Sequence, residues 1–187
     1  MALRRFLGIG TDTGGDVAPA GPRSSSADTD TVRRIIGQLE LLDVDERRYL
    51  AGFAYILARA AHSDLDIAAD ESTLMEQIVS GIGGLSESQA VLVVEIAKHQ
   101  SVLYGGTEDF LVTREFASRA TNEQKRKVVE ACFAVVAADH QITADEYAEM
   151  TQIAGELDLT REELNVIRRE YRDQLAAIQR MRGIIPD

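Results

Sequence analysis

Tryptophan is absent from these 187 residues, and cysteine occurs once, as Cys132. A single thiol excludes a disulfide framework and any Cys-based zinc cluster, and it suits a reducing compartment. Proline is nearly as scarce, with three in all, which leaves room for long uninterrupted helices. No stretch reaches the roughly 18 apolar residues that would span a bilayer. Bases are short relative to acids: 20 Lys and Arg against 31 Asp and Glu give a net charge of −11. That balance argues against nucleic acid, whose phosphate backbone is bound by a surplus of Lys and Arg.

Signatures of catalysis are missing as well. A ferritin-like di-iron centre needs Glu-x-x-His on two helices, but the residues three before His62, His99 and His140 are Arg59, Ile96 and Ala137. Cys132 stands between Ala131 and Phe133, an apolar setting that suits packing rather than a reactive thiolate. Gly81-Ile82-Gly83-Gly84 follows a helical stretch and reads as its termination rather than as a phosphate loop. The expectation is a protein that is not an enzyme and has no obligatory cofactor.

What is there is mostly helix. Val32, Ile35, Ile36, Leu39 and Leu42 fall on one helical stripe, as do Leu50, Phe53, Ala54, Leu57 and Ala61. Leu164, Ile167, Tyr171, Leu175 and Ile178 repeat that spacing in what reads as one last helix. Asp43, Ser86, Thr121, Thr143 and Thr160 each have Glu or Gln three positions on, the pattern of a capping box. With further starts near Thr31, Ala69 and Thr107, the pattern predicts an all-α bundle of about eight helices. The segments from Ala90 to Ala97 and from Val128 to Ala138 are apolar on nearly every side and are expected at its centre.

The first residues differ in kind. From about Gly8 to Asp30 the chain is mostly Gly, Pro, Ser, Thr and Asp, with almost nothing to bury, so residues 1–29 read as a flexible tail and 30–187 as the folded domain. Before the linker, Leu3, Phe6, Leu7 and Ile9 flank Arg4 and Arg5. That apolar run is too short for the core of a signal peptide. The expected location is cytoplasmic, peripheral to the membrane if those four apolar residues anchor the chain to a partner or a lipid surface.

The most informative feature is a duplication. Asp64 to Ile78 (DLDIAADESTLMEQI) and Asp139 to Ile153 (DHQITADEYAEMTQI) share eight of fifteen residues, which predicts two related helix–loop–helix halves. Charge follows the repeat. Residues 60–97 and 128–160 hold seven acids each and no Lys or Arg, so 14 of the 31 acids gather around the two loops. Asp70, Glu71, Asp145 and Glu146 open helices, where the positive end of the macrodipole favours them. Asp64 and Asp139 close helices, where the same dipole opposes them. A loop N–H, water, an arginine from elsewhere or a cation must compensate those two. The six acids are either helix and loop structure, or a surface for a divalent cation such as calcium or for a basic partner. An EF-hand is excluded, because its Gly and its bidentate Glu are replaced by Ala69 and Met75 in the first loop and by Ala144 and Met150 in the second.

The segment from Ala131 to Tyr171 resembles the tellurite-resistance TerB family and its TerB-like relatives. An apolar Ala-rich helix ends at Asp139, Ile142 follows, and Thr143 with Glu146 opens the next helix. Leu157, Leu159 and Thr160 then match the family's Leu-x-Leu-Ser/Thr turn, and Ala60 to Glu71 is a weaker first copy. Where the family has Gly after the Asp, this chain has His140 and Leu65. The resemblance implies an all-helical fold without catalytic activity, acidic clusters that bind metal ions such as calcium, and association with membrane-bound partners in stress responses. The function it implies is a non-enzymatic interaction module docking on protein partners near the cytoplasmic membrane face. The alternative is a structural accessory subunit of a larger assembly, held by its N-terminal segment and without a metal role.

Overall fold

Eleven consecutive residues from Leu50 to Ala60 contain one charge, Arg59, and otherwise only apolar or small side chains and a tyrosine. In the computed structural model, which describes residues 26–61, 69–99, 109–139 and 141–183, this run is the inner half of the central helix. The helices among the described residues are α1 (Ser26–Glu40), α2 (Val44–Ala60), α3 (Ala69–Gly81), α4 (Glu87–Lys98) and α5 (Asp109–Arg119). They continue as α6 (Asn122–Val136), α7 (Ala144–Glu156), α8 (Arg161–Glu170) and α9 (Ala176–Met181). Single 3₁₀ turns at Ala137–Asp139 and Arg172–Gln174 complete the described order, and no strand is formed among these residues.

Helix α2 packs against α4, α5, α6 and α7, while α3 and α1 cover α4 and α8 lies on α6. Sequence periodicity places the Ala90–Ala97 and Val128–Ala138 segments at the centre, and both are largely buried, but α2 is buried on every side from Leu50 to Ala58. Its small residues explain how neighbours approach so closely. A Cβ built on Gly52 would lie 2.6 Å from Cδ2 of Phe116 on α5. Phe116 in turn stacks on Tyr49 with ring centroids 5.5 Å apart. Burial pushes the Tyr49 phenol up to about 12.

Four of the five expected capping boxes close in both directions, at Ser86, Thr121, Thr143 and Thr160. The fifth closes in one. Asp43 accepts from the N–H groups of Asp45 and Glu46, but the Glu46 carboxylate accepts from Gln89 on α4 instead of returning to its own cap. The glycine cluster ends α3 as expected, with Gly84 at φ +69°. The Leu-x-Leu-Thr turn also acquires a physical meaning. Leu159 N–H donates to Ala154 O and Asp158 N–H to Gly155 O, the paired bonds that close a helix through a left-handed residue. That residue is Asp158, at φ 61°, and Thr160 caps α8 immediately afterwards.

The structure adds detail at both ends of the expected helical pattern. Helix α1 begins at Ser26, ahead of the expected start of the folded domain at Asp30. Nine α-helices are formed among the described residues, in keeping with the expected all-α bundle of about eight. The last expected helix is broken in two. At the break, Ile142 N–H donates to Gln174 O at 2.7 Å and Ala176 N–H donates to Ile142 O at 2.9 Å. A helix running through Gln174 and Ala176 could not offer those groups to the α6–α7 loop. Stacking of Tyr171 on Phe133, centroids 5.6 Å apart, fixes the position of the break.

Candidate functional site

The repeated segments open helices where the pattern places them, α3 at Ala69 and α7 at Ala144. In the second segment the 3₁₀ turn ends at Asp139 and Ile142 is buried against the C-terminal helices. The Glu146 carboxylate accepts from Thr143 N–H at 2.7 Å and from the Thr143 hydroxyl at 2.8 Å, so it is engaged in capping α7. Asp145, beside it in the first turn, is exposed. Asp64 lies outside the described residues, as do Leu3, Phe6, Leu7 and Ile9. Asp70, Glu71 and Asp139 have described backbone but lie outside the described side chains. Among the described residues no three His, Cys, Asp or Glu side chains come together. The described part of the second loop offers one carboxylate not engaged in capping, Asp145.

The inner face of α7 is different. Glu149 and Glu156 lie seven residues apart and both reach Arg59 of α2. Arg59 Nε donates to Glu149 at 2.5 Å, and Nη1 and Nη2 donate to the two oxygens of Glu156 at 2.5 and 3.1 Å. Nη1 also reaches the hydroxyl of Thr113 on α5 at 3.1 Å. The Arg59 and Glu156 side chains are only 6% and 7% exposed and Glu149 is 19% exposed, so water screens this group little. Burial works against the Arg59 charge, but the hydrogen bonds and charges of Glu156 and Glu149 outweigh it and hold the guanidinium above its ordinary pKa. Burial likewise opposes the Glu156 charge, and hydrogen bonds from Arg59 and Gln152 together with the Arg59 charge overcome it, keeping that carboxyl below the usual range. One arginine thus ties α2, α5 and α7 together.

Other acids of the two base-free windows also find cations from outside them. Glu95 meets Arg34 at 3.0 Å, Glu130 meets Arg126 at 3.4 Å, and Asp158 meets Lys125 at 3.5 Å. Sequence reasoning missed the Arg59 centre because it counted bases inside the windows. A signal was present, since a lone arginine in an apolar run is rarely buried unless it is paired. Cys132 is fully buried, its thiol pushed up to about 12 by desolvation, and is a packing residue.

Two grooves indent the described surface. One, of about 600 Å³, runs between α2 and α5 over Tyr49 and Phe116 and is also lined by Asp45, Glu46, Arg48, Glu115 and Arg119. The other, of about 540 Å³, lies between the start of α7 and the α8–α9 region and is lined by Tyr147 and four arginines.

An all-helical bundle in which one buried arginine is held by two carboxylates of a neighbouring helix defines a helical module. The chain belongs to the TerB family: the family model described as tellurite resistance protein TerB matches residues 49–169, from α2 to the end of α8. Comparison with curated proteins and with solved structures gave no match. No helix among the described residues is long and apolar enough to cross a membrane.

Proposed function

We propose that this chain is a non-catalytic docking module whose acidic loop ends take a basic segment of a protein partner in a tellurite- or stress-related assembly. The carrying observation is the division of labour along α7: its inner acids are neutralised by Arg59, while Asp145 at its start is exposed. The equivalent start of α3 carries Asp70 and Glu71, and Asp64 and Asp139 precede the two helices. A surface of that kind attracts cationic partners over a Debye length of about 8 Å at physiological salt. The N-terminal Leu3, Phe6, Leu7 and Ile9 are proposed to add an apolar anchor that brings the module to its assembly at the membrane face. Family membership supports the general type.

The test is a titration of the full chain with a fluorescent peptide of alternating Lys and Leu, in chelator and in excess calcium. Docking predicts saturable binding that weakens with salt, is unchanged by calcium, and falls when Asp145, Asp139 and Asp70 are replaced by Asn. If calcium displaces the peptide, and also stabilises the fold by the roughly 2.7 kcal/mol expected at 100 times its dissociation constant, the loops are cation sites instead.

A further inference from the structure

The acidic balance of the chain has a local exception. Arg168, Arg169, Arg172 and Arg180 all line the groove between the start of α7 and the α8–α9 region, and among the described residues no Asp or Glu lines it. The nearest acid in sequence to Arg172 is Asp173, which is taken by Arg182 at 2.8 Å. Among the described residues no carboxylate forms an ion pair with any of the four. Four guanidinium groups around one concavity repel one another, and in a protein with a net charge of −11 that arrangement is not a by-product of composition.

The groove is also preorganised. Tyr147 accepts a hydrogen bond on its hydroxyl from Arg168 Nη1 at 2.8 Å, and the same guanidinium carbon lies 5.8 Å from the Tyr147 ring centroid. The paired backbone bonds between Ile142 and the Gln174–Ala176 segment hold the groove's two walls together. Its floor is apolar: Ile142 is buried, with Leu175 and Ile178 half-buried beside it. Arginine rather than lysine is the residue whose planar fork matches a carboxylate in a bidentate way. An apolar floor rimmed by such forks fits a chain segment carrying both carboxylates and an apolar side chain. A flat bilayer surface would not enter a concavity, and a free phosphate would leave its apolar floor uncovered.

We propose that this groove is a second docking site, which receives an acidic segment of a protein partner bearing an aliphatic or aromatic anchor. The site is independent of the acidic-loop reading. Part of its lining, Arg172, Leu175, Ile178 and Arg180, lies beyond the residues matched by the family model.

The probe is a fluorescein-labelled octapeptide, Asp-Glu-Leu-Asp-Glu-Phe-Asp-Glu, titrated with the full chain at low salt and followed by anisotropy. Saturable binding is expected, weakened by salt and by replacing the Leu and Phe of the peptide with Ser. Arg169→Glu with Arg172→Glu should lower affinity at least about tenfold while leaving the far-ultraviolet circular dichroism and melting temperature unchanged. Arg33→Glu on α1, outside the groove, should leave affinity unaltered. Absence of saturable binding, or binding indifferent to the groove reversals, overturns the proposal. So does capture of phosphatidylserine vesicles or inorganic phosphate through these arginines without competition from the peptide.

Discussion

Replacing Arg59 with methionine keeps much of the length and apolar stem of the side chain while removing the one charge that Glu149 and Glu156 share. Both carboxylates would then remain in an interior where Glu156 is 7% exposed and Glu149 19% exposed. Breaking a buried pair by removing one partner costs ~3–5 kcal/mol, because the remaining charge stays desolvated. Against a total stability of about 5–15 kcal/mol for a domain, that is a large fraction. For a chain of this size each kcal/mol moves the midpoint by ~2–4 °C, so Arg59→Met should lower it by roughly 6–20 °C. Thermal melts followed by circular dichroism, with urea titrations at pH 7, measure this. Arg59→Lys should lie between parent and methionine variant, since an ammonium cannot fork across two carboxylates. Combining Arg59→Met with Glu149→Leu and Glu156→Leu should restore most of the stability, because apolar replacements of a whole buried ionic cluster are often neutral or better. A loss below about 1 kcal/mol for Arg59→Met, typical of exposed pairs, would refute the reasoning.

Acid should weaken the same contact. Glu156 titrates below its ordinary value of 4.5 in the folded chain, so its contribution is complete above the unfolded value and is lost as pH falls through the lower, folded one. Stability of the parent should drop below about pH 4.5 more steeply than that of Glu156→Gln, as urea midpoints between pH 6 and pH 3, roughly, will show. Gly52→Ala places a methyl 2.6 Å from Phe116 Cδ2 and should destabilise by about 1–3 kcal/mol through forced separation of α2 and α5; an unchanged melting point would mean that Phe116 moves freely. Cys132 should react with a water-soluble disulfide reagent no faster than the chain unfolds, since its thiol is fully buried, and rapid modification under native conditions would contradict that burial.

The parts of the fold legible in the sequence are those set by neighbours three or four residues apart. Thr121 with Gln124 and Thr160 with Glu163 close their caps as their spacing demands. Glu46 departs from that rule because Gln89, 43 positions away, takes its carboxylate. The break after Tyr171 carries no Gly or Pro to announce it; it arises from the distant bonds to Ile142. The centrality of α2 was hidden for a related reason. Its stripe of Leu50, Phe53, Ala54 and Leu57 satisfies a one-faced helix, and the burial of Ala51, Gly52, Tyr55, Ile56 and Ala58 on the other faces is decided by distant neighbours such as Phe116. For the candidate site, the gathering of acids was visible as composition. Which acids are neutralised was not, since Arg59 reaches Glu149 and Glu156 across 90 and 97 positions. The arginine groove joins residues of α7, α8 and α9 that no local pattern connects.

The most direct measurement of the docking account is a ¹H–¹⁵N correlation titration of the full chain, first with the Lys–Leu peptide and then, on a fresh sample, with calcium. The account predicts that the peptide shifts amides at the starts of α3 and α7, around Asp70 and Asp145, and that calcium leaves them in place. Calcium-induced, saturable shifts at those amides together with indifference to the peptide would contradict it.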